Sequence, residues 1–345
     1  MSANGKPRLG ELDAMRALAA IAVMLFHYTV RFHEEYPDLP PTAFDLQRGG
    51  FGVNFFFAIS GFVILMTLYN CKRSTDFVFS RVTRLLPTYW TSILLTFAVV
   101  AAFTLPGREV TWLQALGNVT MFQEFYHVPH VDKVYWSLQV EVLFYIWMFF
   151  IFYFKKLENI RLFLVPWLLL SIGAGAMDEV FHRPISFAIT KVLMLEYISM
   201  FAVGIVAYRA TLKGGLDRFD WVLWALALGG AATWGGRNAL IGCALTIVVF
   251  WLFIHQHLRW LAWGPLVWIG GISFPLYLLH QNIGYVVMRE TLTHGGNVHT
   301  GLILAGAVSV GLAAMVTYGV ERPSMRYLRD ARRRRAARLA VVRTP

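Results

Sequence analysis

Two ionisable side chains lie in the first apolar stretch of the sequence. Arg16 and His27 are eleven residues apart, which in an α-helix places them on one face to within about 20° and about 16 Å apart along the axis. Asp13, one turn before Arg16, is positioned to neutralise part of its charge. Ionisable groups at membrane depth are costly and mark functional sites. The pattern therefore predicts a functional helix face with a cation at one end and an imidazole at the other.

A carboxylate and a second imidazole occur in later apolar stretches. Glu141 lies about six residues from the start of its stretch, and His27 lies about four residues from the end of its own. At matching depth, the Glu141 carboxylate would fix the tautomer of His27 and polarise its ring. His280, in the ninth stretch, is expected in the same layer. These residue types predict acid–base chemistry with His27 and Glu141 as the catalytic pair.

The turn after the second apolar stretch carries two arginines, in the sequence RVTRLLP. Arg81 and Arg84 are three residues apart, just before Pro87, so both guanidiniums lie on one side of a helix start. Each can form bidentate bonds to a phosphate. The competing interpretation is that these charges only set membrane topology.

Composition indicates the class of protein that holds these residues. Of 345 residues, 57% are hydrophobic and only 15% are charged, and the mean hydropathy is +0.54. A soluble domain carries about a quarter charged residues, so the chain is expected to be a membrane protein. The net charge of +11 is better explained by anionic lipid headgroups than by nucleic acid. We expect no metal site, because the pattern of His127, His130 and Asp132 is too weak.

Ten stretches are long and apolar enough to cross a membrane, which needs roughly 20 residues each. They predict an all-α bundle of about ten transmembrane helices, over residues 12–31, 51–69, 87–105, 135–154, 162–178, 187–208, 219–235, 238–254, 264–288 and 300–320.

Loop charges predict the orientation. With the N-terminus inside, most Lys and Arg residues, including Lys6, Arg8 and the arginine-rich segment 329–343, lie on the cytoplasmic side, and few, such as Arg183, lie outside. The positive-inside rule then places both termini in the cytoplasm of a protein of the inner cell membrane. We expect one transmembrane domain over residues 1–326 and a basic, lipid-attracted tail over 327–345.

The order of these motifs resembles the acyltransferase-3 family of multi-spanning membrane acyltransferases. The resemblance covers residues 9–326 and rests on LDAMRALAAIAVMLFHY with Arg16 and His27, FGVNFFFAISGFVI with Ser60, Arg81-x-x-Arg84-x-x-Pro87, WSLQVEVLFY with Glu141, ISFPLYLLHQN with His280, and Glu321-Arg322-Pro323. Asn282 stands where many relatives have Pro, which would alter the outer mouth of the site.

The resemblance implies transfer of an acyl group, usually acetyl from acetyl-CoA, to a hydroxyl of a carbohydrate acceptor. Acetyl-CoA is then a co-substrate and not a resident cofactor. Arg81 and Arg84 would hold its phosphates, and its arm would pass Arg16 toward His27. His27 would act as the general base, and His280, Ser60 and Asn282 would support the acceptor side. A surface or exported polysaccharide, or its lipid-linked precursor, is the expected acceptor.

Several alternatives stay open at this point. A transporter or flippase of acyl groups or lipid-linked sugars would also carry buried charges, although the sequence contains no internal repeat. Within the enzyme class, the acceptor could be a macrolide or another secondary metabolite. A transient acyl-histidine is an alternative to direct transfer. The sequence does not determine the oligomeric state.

Overall fold

The computed structural model describes residues 9–182 and 185–342, without the side chains of 180, 181 and 335–342. The predicted charges at Lys6, Arg8, Arg183 and Arg343 lie outside these residues. Of the described residues, 82% are helical and none lies in a strand, which confirms the all-α prediction.

Thirteen α-helices follow one another along the described part of the chain. They are α1 Gly10–Phe26, α2 Phe32–Glu35, α3 Phe51–Tyr69, α4 Ser74–Phe103, α5 Trp112–Asn118, α6 Trp136–Tyr153, α7 Ile160–Phe181, α8 Phe187–Val192, α9 Ile198–Lys213, α10 Arg218–Ile254, α11 Gly264–Thr293, α12 Val298–Val316 and α13 Arg322–Val342. Two π-helical turns, His27–Arg31 and Thr317–Glu321, join α1 to α2 and α12 to α13 without a break.

Seven helical segments among the described residues are long and apolar enough to cross a membrane: Gly10–Glu35, Gln47–Tyr69, Ser74–Phe103, Lys133–Tyr153, Leu157–Glu179, Arg218–Ile254 and Val298–Arg334. These segments indicate a multi-pass membrane protein. The count of about ten spans and the cytoplasmic position of the termini stay predictions.

The longest helix, α10, is bent back on itself at two glycines. Gly235 and Gly236 have non-helical dihedral angles, and the φ of Gly236 is +57°. Before the bend, Trp224 bonds to the Val203 carbonyl of α9. After it, Phe250 stacks on Phe62 of α3. Gly230 lies against Ser199 in the first half and Gly242 lies against Phe51 in the second, so the first half runs antiparallel to α9 and the second runs parallel to α3. Because α3 and α9 run in the same direction, with Phe57 at Tyr197 and Phe62 at Tyr208, the two halves of α10 run in opposite directions, as expected from the separate stretches 219–235 and 238–254.

The predicted stretch 187–208 is not one helix. The chain forms α8 and α9 with an irregular turn between them, in which Met194 takes a positive φ of 49°. The apolar composition is continuous across this turn, so hydropathy alone could not locate the break.

Glycines allow the central helices to touch backbone to backbone. A Cβ on Gly204 of α9 would lie 1.8 Å from the Ala58 carbonyl oxygen of α3, and a Cβ on Gly270 of α11 would lie 1.9 Å from the Asp13 carbonyl oxygen of α1. Small residues at helix crossings permit this close approach in membrane proteins. As a result, α9 is fixed against α3 and α11 is fixed against α1 at the centre of the bundle.

Polar contacts cluster at the two ends of the bundle. At the end that contains Gly10, here called the near face, Arg332 of α13 pairs with Asp76 at the start of α4 at 2.5 Å. At the opposite end, the far face, Glu35 accepts ion pairs from Arg108 at 2.7 Å and from Lys133 at 2.8 Å. The C-terminal helix is thus tied to α4 at the near face.

A buried network at the far face anchors α11. The fully buried Asp132 accepts a hydrogen bond from the backbone amide of Asn282 at 3.0 Å. The Asn282 side-chain amide donates to the Val131 carbonyl at 2.9 Å, and its oxygen accepts a longer contact from Arg108 at 3.4 Å. Asn282 is 1% exposed, so it anchors the loop before α6 to α11, and its supporting role on the acceptor side stays a prediction.

Overfilling the α3–α9 crossing tests the role of its glycines. Gly204→Ala places a methyl group against the Ala58 carbonyl, and we expect it to cost about 1–3 kcal/mol of stability. Gly311→Ala on α12 is the matched control, because nothing lies within 4 Å of the added Cβ. Thermal unfolding of both purified variants in detergent measures the difference. Equal midpoints would contradict the packing described for α3 and α9.

The pH dependence of stability tests the Asp132 anchor. Burial raises the pKa of the Asp132 carboxyl from 3.8 to about 6, against the effect of its hydrogen bonds from Asn282 and Val134. Between these two pH values the folded protein therefore binds more protons than the unfolded protein does. The free energy of unfolding falls by about 2–3 kcal/mol as the pH rises through this window. In thermal unfolding curves, Asp132→Asn should remove this dependence of the midpoint on pH. The control Asp45→Asn, at an exposed position, should leave it unchanged. A slope that persists in Asp132→Asn would assign it to another group.

Candidate active site

Two histidines from different helices meet at the end of α1. His27 begins the π-helical turn His27–Arg31, a distortion frequent at functional sites. Its Nδ1 lies 3.1 Å from Nε2 of His280 on α11, and the ring centroids are 4.9 Å apart. The structure thus brings together the two predicted histidines, 253 residues apart in sequence.

Two tyrosines lock the backbones of this histidine pair reciprocally. Tyr28, next to His27, donates its hydroxyl hydrogen bond to the His280 carbonyl at 2.8 Å. Tyr285 donates to the His27 carbonyl at 3.2 Å. Both tyrosines are fully buried, so the bonds are shielded from water and hold α1 and α11 in one register.

The surrounding acceptors determine which ring nitrogens carry protons. Nδ1 of His280 faces the carbonyl oxygens of Tyr277 at 2.9 Å and Leu276 at 3.2 Å. Carbonyls only accept, so this nitrogen carries the hydrogen and Nε2 of a neutral His280 is an acceptor. Nδ1 of His27 faces that acceptor and the Val23 carbonyl at 2.8 Å, so it also carries a hydrogen. The unprotonated nitrogen of a neutral His27 is therefore Nε2, which suits a general base.

A second polar site, here called the arginine cavity, lies nearer the near face. It is lined by the three predicted arginines Arg16, Arg81 and Arg84, by Glu141 and Ser60, and by Tyr145, with Val63, Ile64, Leu85 and Phe274 as apolar walls. The helices α1, α3, α4, α6 and α11 contribute these side chains. The three arginines predicted to contact acyl-CoA therefore share one cavity, although they come from two helices.

Carboxylates compensate the positive charge of this cavity. The Ser60 hydroxyl donates to Oε1 of Glu141 at 2.6 Å, and the Tyr145 hydroxyl donates to the same oxygen. Asp13 lies 3.7 Å from Arg16. Glu321, in the second π-helical turn, interacts electrostatically with Arg84 and Arg16. Half-buried guanidiniums such as these need compensation where the dielectric constant is low.

The position of Glu141 corrects the predicted catalytic pair. Glu141 bonds to Ser60 and Tyr145 in the arginine cavity, and the imidazole of His27 bonds to His280 and Val23. The reason is depth. The α1 segment continues past His27 to Glu35. On α6, the Ser137 hydroxyl meets that of Tyr277, which lies one turn from His280 toward the near face. Glu141 follows Ser137 by one more turn of α6, so it lies farther from the far face than the histidine pair does. Counting residues from the ends of apolar stretches could not detect this offset.

One face of α11 connects the two sites. Phe274, Tyr277 and His280 follow one another at intervals of three residues, so each side chain is rotated by about 60° around the helix from the one before it. Phe274 lines the arginine cavity, and the Tyr277 ring lies 5.8 Å from that of His280. A ligand that extends from the cavity toward the histidine pair would follow this face.

Sequence reasoning missed several residues of these networks, among them Tyr28 and Tyr285. Tyr145 follows Glu141 by four residues on the same helix, so helical spacing could have identified it. Glu321 belongs to the motif Glu321-Arg322-Pro323, to which the sequence by itself assigns no role. Asp132 was considered only as a weak metal ligand, and His130 beside it bonds to Gln123 at 2.8 Å. Arg108 lies in a loop without periodicity, where no sequence signal indicated burial.

Comparison with known proteins identifies relatives named for exopolysaccharide production and for peptidoglycan O-acetylation. The chain is 26% identical to the exopolysaccharide production protein ExoZ of Rhizobium meliloti over 314 residues, which is 85% of this chain and 94% of that protein. It is 30% identical to the peptidoglycan O-acetyltransferase OatA of Listeria monocytogenes over 191 residues, 49% of this chain and 28% of the relative. It is 23% identical to the putative peptidoglycan O-acetyltransferase YrhL of Bacillus subtilis over an alignment of 359 positions with gaps, which covers 90% of this chain and 54% of the relative.

The chain thus spans about a quarter of the length of the Listeria relative and about half of the Bacillus relative. No solved structure matches it. The family described as an acyltransferase domain matches residues 9–318, a range that contains both histidines and every residue of the arginine cavity. The chain therefore belongs to the acyltransferase-3 family.

Proposed function

We propose that this protein is a membrane O-acyltransferase that moves an acetyl or short acyl group from cytoplasmic acyl-CoA to a hydroxyl of a carbohydrate. The observation that carries the proposal is the pair of sites on α1, an arginine cavity at Arg16 and a histidine with a free Nε2 at His27. Eleven residues correspond to about 16 Å along a helix. That separation suits a long donor with phosphates at one end and a thioester at the other.

The arginine cavity is the proposed donor site. Arg81 and Arg84 lie within the first turns of α4, close to the face that carries the basic C-terminal helix. The positive-inside rule supports the cytoplasm as the compartment of this face, in the inner membrane of a cell. Phosphates of acyl-CoA would bind the guanidiniums, and the pantetheine arm would extend past Arg16 along the Phe274–Tyr277 face of α11.

The histidine pair supplies the proposed chemistry. Nε2 of His27 takes the proton of the acceptor hydroxyl, and the oxygen attacks the thioester carbonyl. The carbon–sulfur bond then breaks, and the departing thiolate of CoA takes the proton back from the His27 imidazolium. Nδ1–H of His27 stays bonded to His280 and Val23, which keeps the ring oriented throughout. Direct transfer of this kind needs no acyl-histidine intermediate.

The relatives support a polysaccharide acceptor. ExoZ is named for exopolysaccharide production, and OatA is named a peptidoglycan O-acetyltransferase. The match to ExoZ spans nearly the whole of both chains, so we favour a surface or exported polysaccharide, or its lipid-linked precursor. These names also favour acyl transfer over transport of an unmodified substrate.

Removal of the base tests the mechanism. We expect His27→Ala to reduce acyl transfer by about 10²–10⁴-fold while the protein still folds and inserts. Transfer of label from radiolabelled acetyl-CoA to polysaccharide, or its hydrolysis, measures the effect in proteoliposomes. His294→Ala is the matched control, since this histidine is exposed at the end of α11. Turnover of His27→Ala at the control rate would refute the role of His27.

Removal of an arginine tests the donor site. We expect Arg84→Ala to raise the donor KM by about tenfold or more, as the loss of a charge-assisted hydrogen bond would, and to change the acceptor KM much less. Arg333→Ala removes the same charge from an exposed position of α13 and should leave both constants unchanged. An unchanged donor KM in Arg84→Ala would exclude that residue from the phosphate site.

A further inference from the structure

The arginine cavity contains a negative charge that an anion-binding site does not need. Glu141 shares the cavity with Arg16, Arg81 and Arg84, and the guanidiniums of Arg16 and Arg81 both interact electrostatically with it. A carboxylate beside a phosphate site repels the phosphate, so it lowers the affinity for the ligand. Its presence therefore calls for an explanation beyond binding strength.

Two hydroxyl groups hold this carboxylate in addition to the arginines, and one of them, that of Tyr145, also lies beside Arg81. Ser60 and Tyr145 both donate to the same oxygen of Glu141, and both are buried, each 8% exposed. Hydrogen bonds to an ionised carboxylate stabilise the charged form. Glu141 therefore keeps its hydrogen bonds from the two hydroxyls when another anion approaches the guanidiniums.

We propose that Glu141 is the counter-charge of the empty donor site and takes the place of the donor's phosphates there. Without a ligand, it compensates the guanidiniums together with Asp13 and Glu321, because charges at membrane depth need such partners. When the donor binds, its phosphates take over the arginines, and Ser60 and Tyr145 retain the carboxylate. After transfer, repulsion between Glu141 and the phosphates of spent CoA favours release. This inference rests on the proposed donor site and adds a residue that limits its affinity.

Binding of adenosine 3′,5′-bisphosphate, the phosphate-bearing half of CoA, tests the proposal without requiring catalysis. Glu141→Gln keeps the size of the side chain and an oxygen acceptor for the two hydroxyls but removes the charge. We expect it to bind this probe about tenfold more tightly than the wild type, as the loss of a nearby like charge predicts. Calorimetry on the purified full-length protein in detergent measures both affinities.

Two variants separate the effect of charge from other effects. Glu141→Asp keeps the carboxylate and should stay within a few-fold of the wild-type affinity. Glu290→Gln removes a carboxylate at the far end of α11, where it lies beside His294, and should leave binding unchanged. Equal or weaker binding by Glu141→Gln would overturn the proposed counter-charge while leaving the donor site intact. Absence of probe binding by every variant, including the wild type, would overturn both the counter-charge and the donor site.

A second measurement applies if Glu141→Gln fails to accumulate in membranes. Ser60→Ala removes the hydroxyl donor to Glu141 and leaves Tyr145 beside Arg81, so the carboxylate then depends more on the arginines. Displacing it then costs more, so we expect affinity for the bisphosphate to fall several-fold below the wild type. Unchanged or tighter binding would contradict the proposal.

Discussion

Both polar sites depend on the close contact of α1 with α3 and α11. Gly270 of α11 has no side chain where a Cβ would lie 1.9 Å from the Asp13 carbonyl oxygen, and a Cβ on Gly52 of α3 would lie 2.6 Å from that of Ala19. The same contact sets the register that brings His280 to His27 and Phe274 to the arginine cavity. Larger residues at these glycines would separate the helices and with them the two halves of each site.

The cost of charge at membrane depth explains how the polar residues are grouped. The guanidiniums of the arginine cavity are matched by Glu141, Glu321 and Asp13, drawn from three separate helical segments. The histidine pair needs no carboxylate, because neutral imidazoles are satisfied by each other and by backbone carbonyls. The ionic site and the neutral site are thus distinct, and each has its own means of limiting desolvation.

This separation suits a transfer reaction between two compartments. A charged site nearer the near face would hold the polar end of a donor. A neutral base nearer the far face, on the same helical segment, would meet the acceptor hydroxyl. The buried network of Asp132, Asn282 and Arg108 holds α11 at the far face, close in sequence to His280. Its role in the proposed reaction is to fix the helix that carries the second histidine.

The sequence by itself determined the class of protein, the family and most of the residues that line the sites. Hydropathy identified the helices because crossing a membrane imposes a length and a composition, and the spacing of Arg16 and His27 placed them on one face because helical rotation is a local property. The partners of these residues were decided only by the tertiary structure. Glu141 was expected at His27 because depth was counted from the ends of apolar stretches, but α6 begins deeper in the bundle than α1 ends. That offset is a property of how helices pack, and no local pattern in the sequence records it.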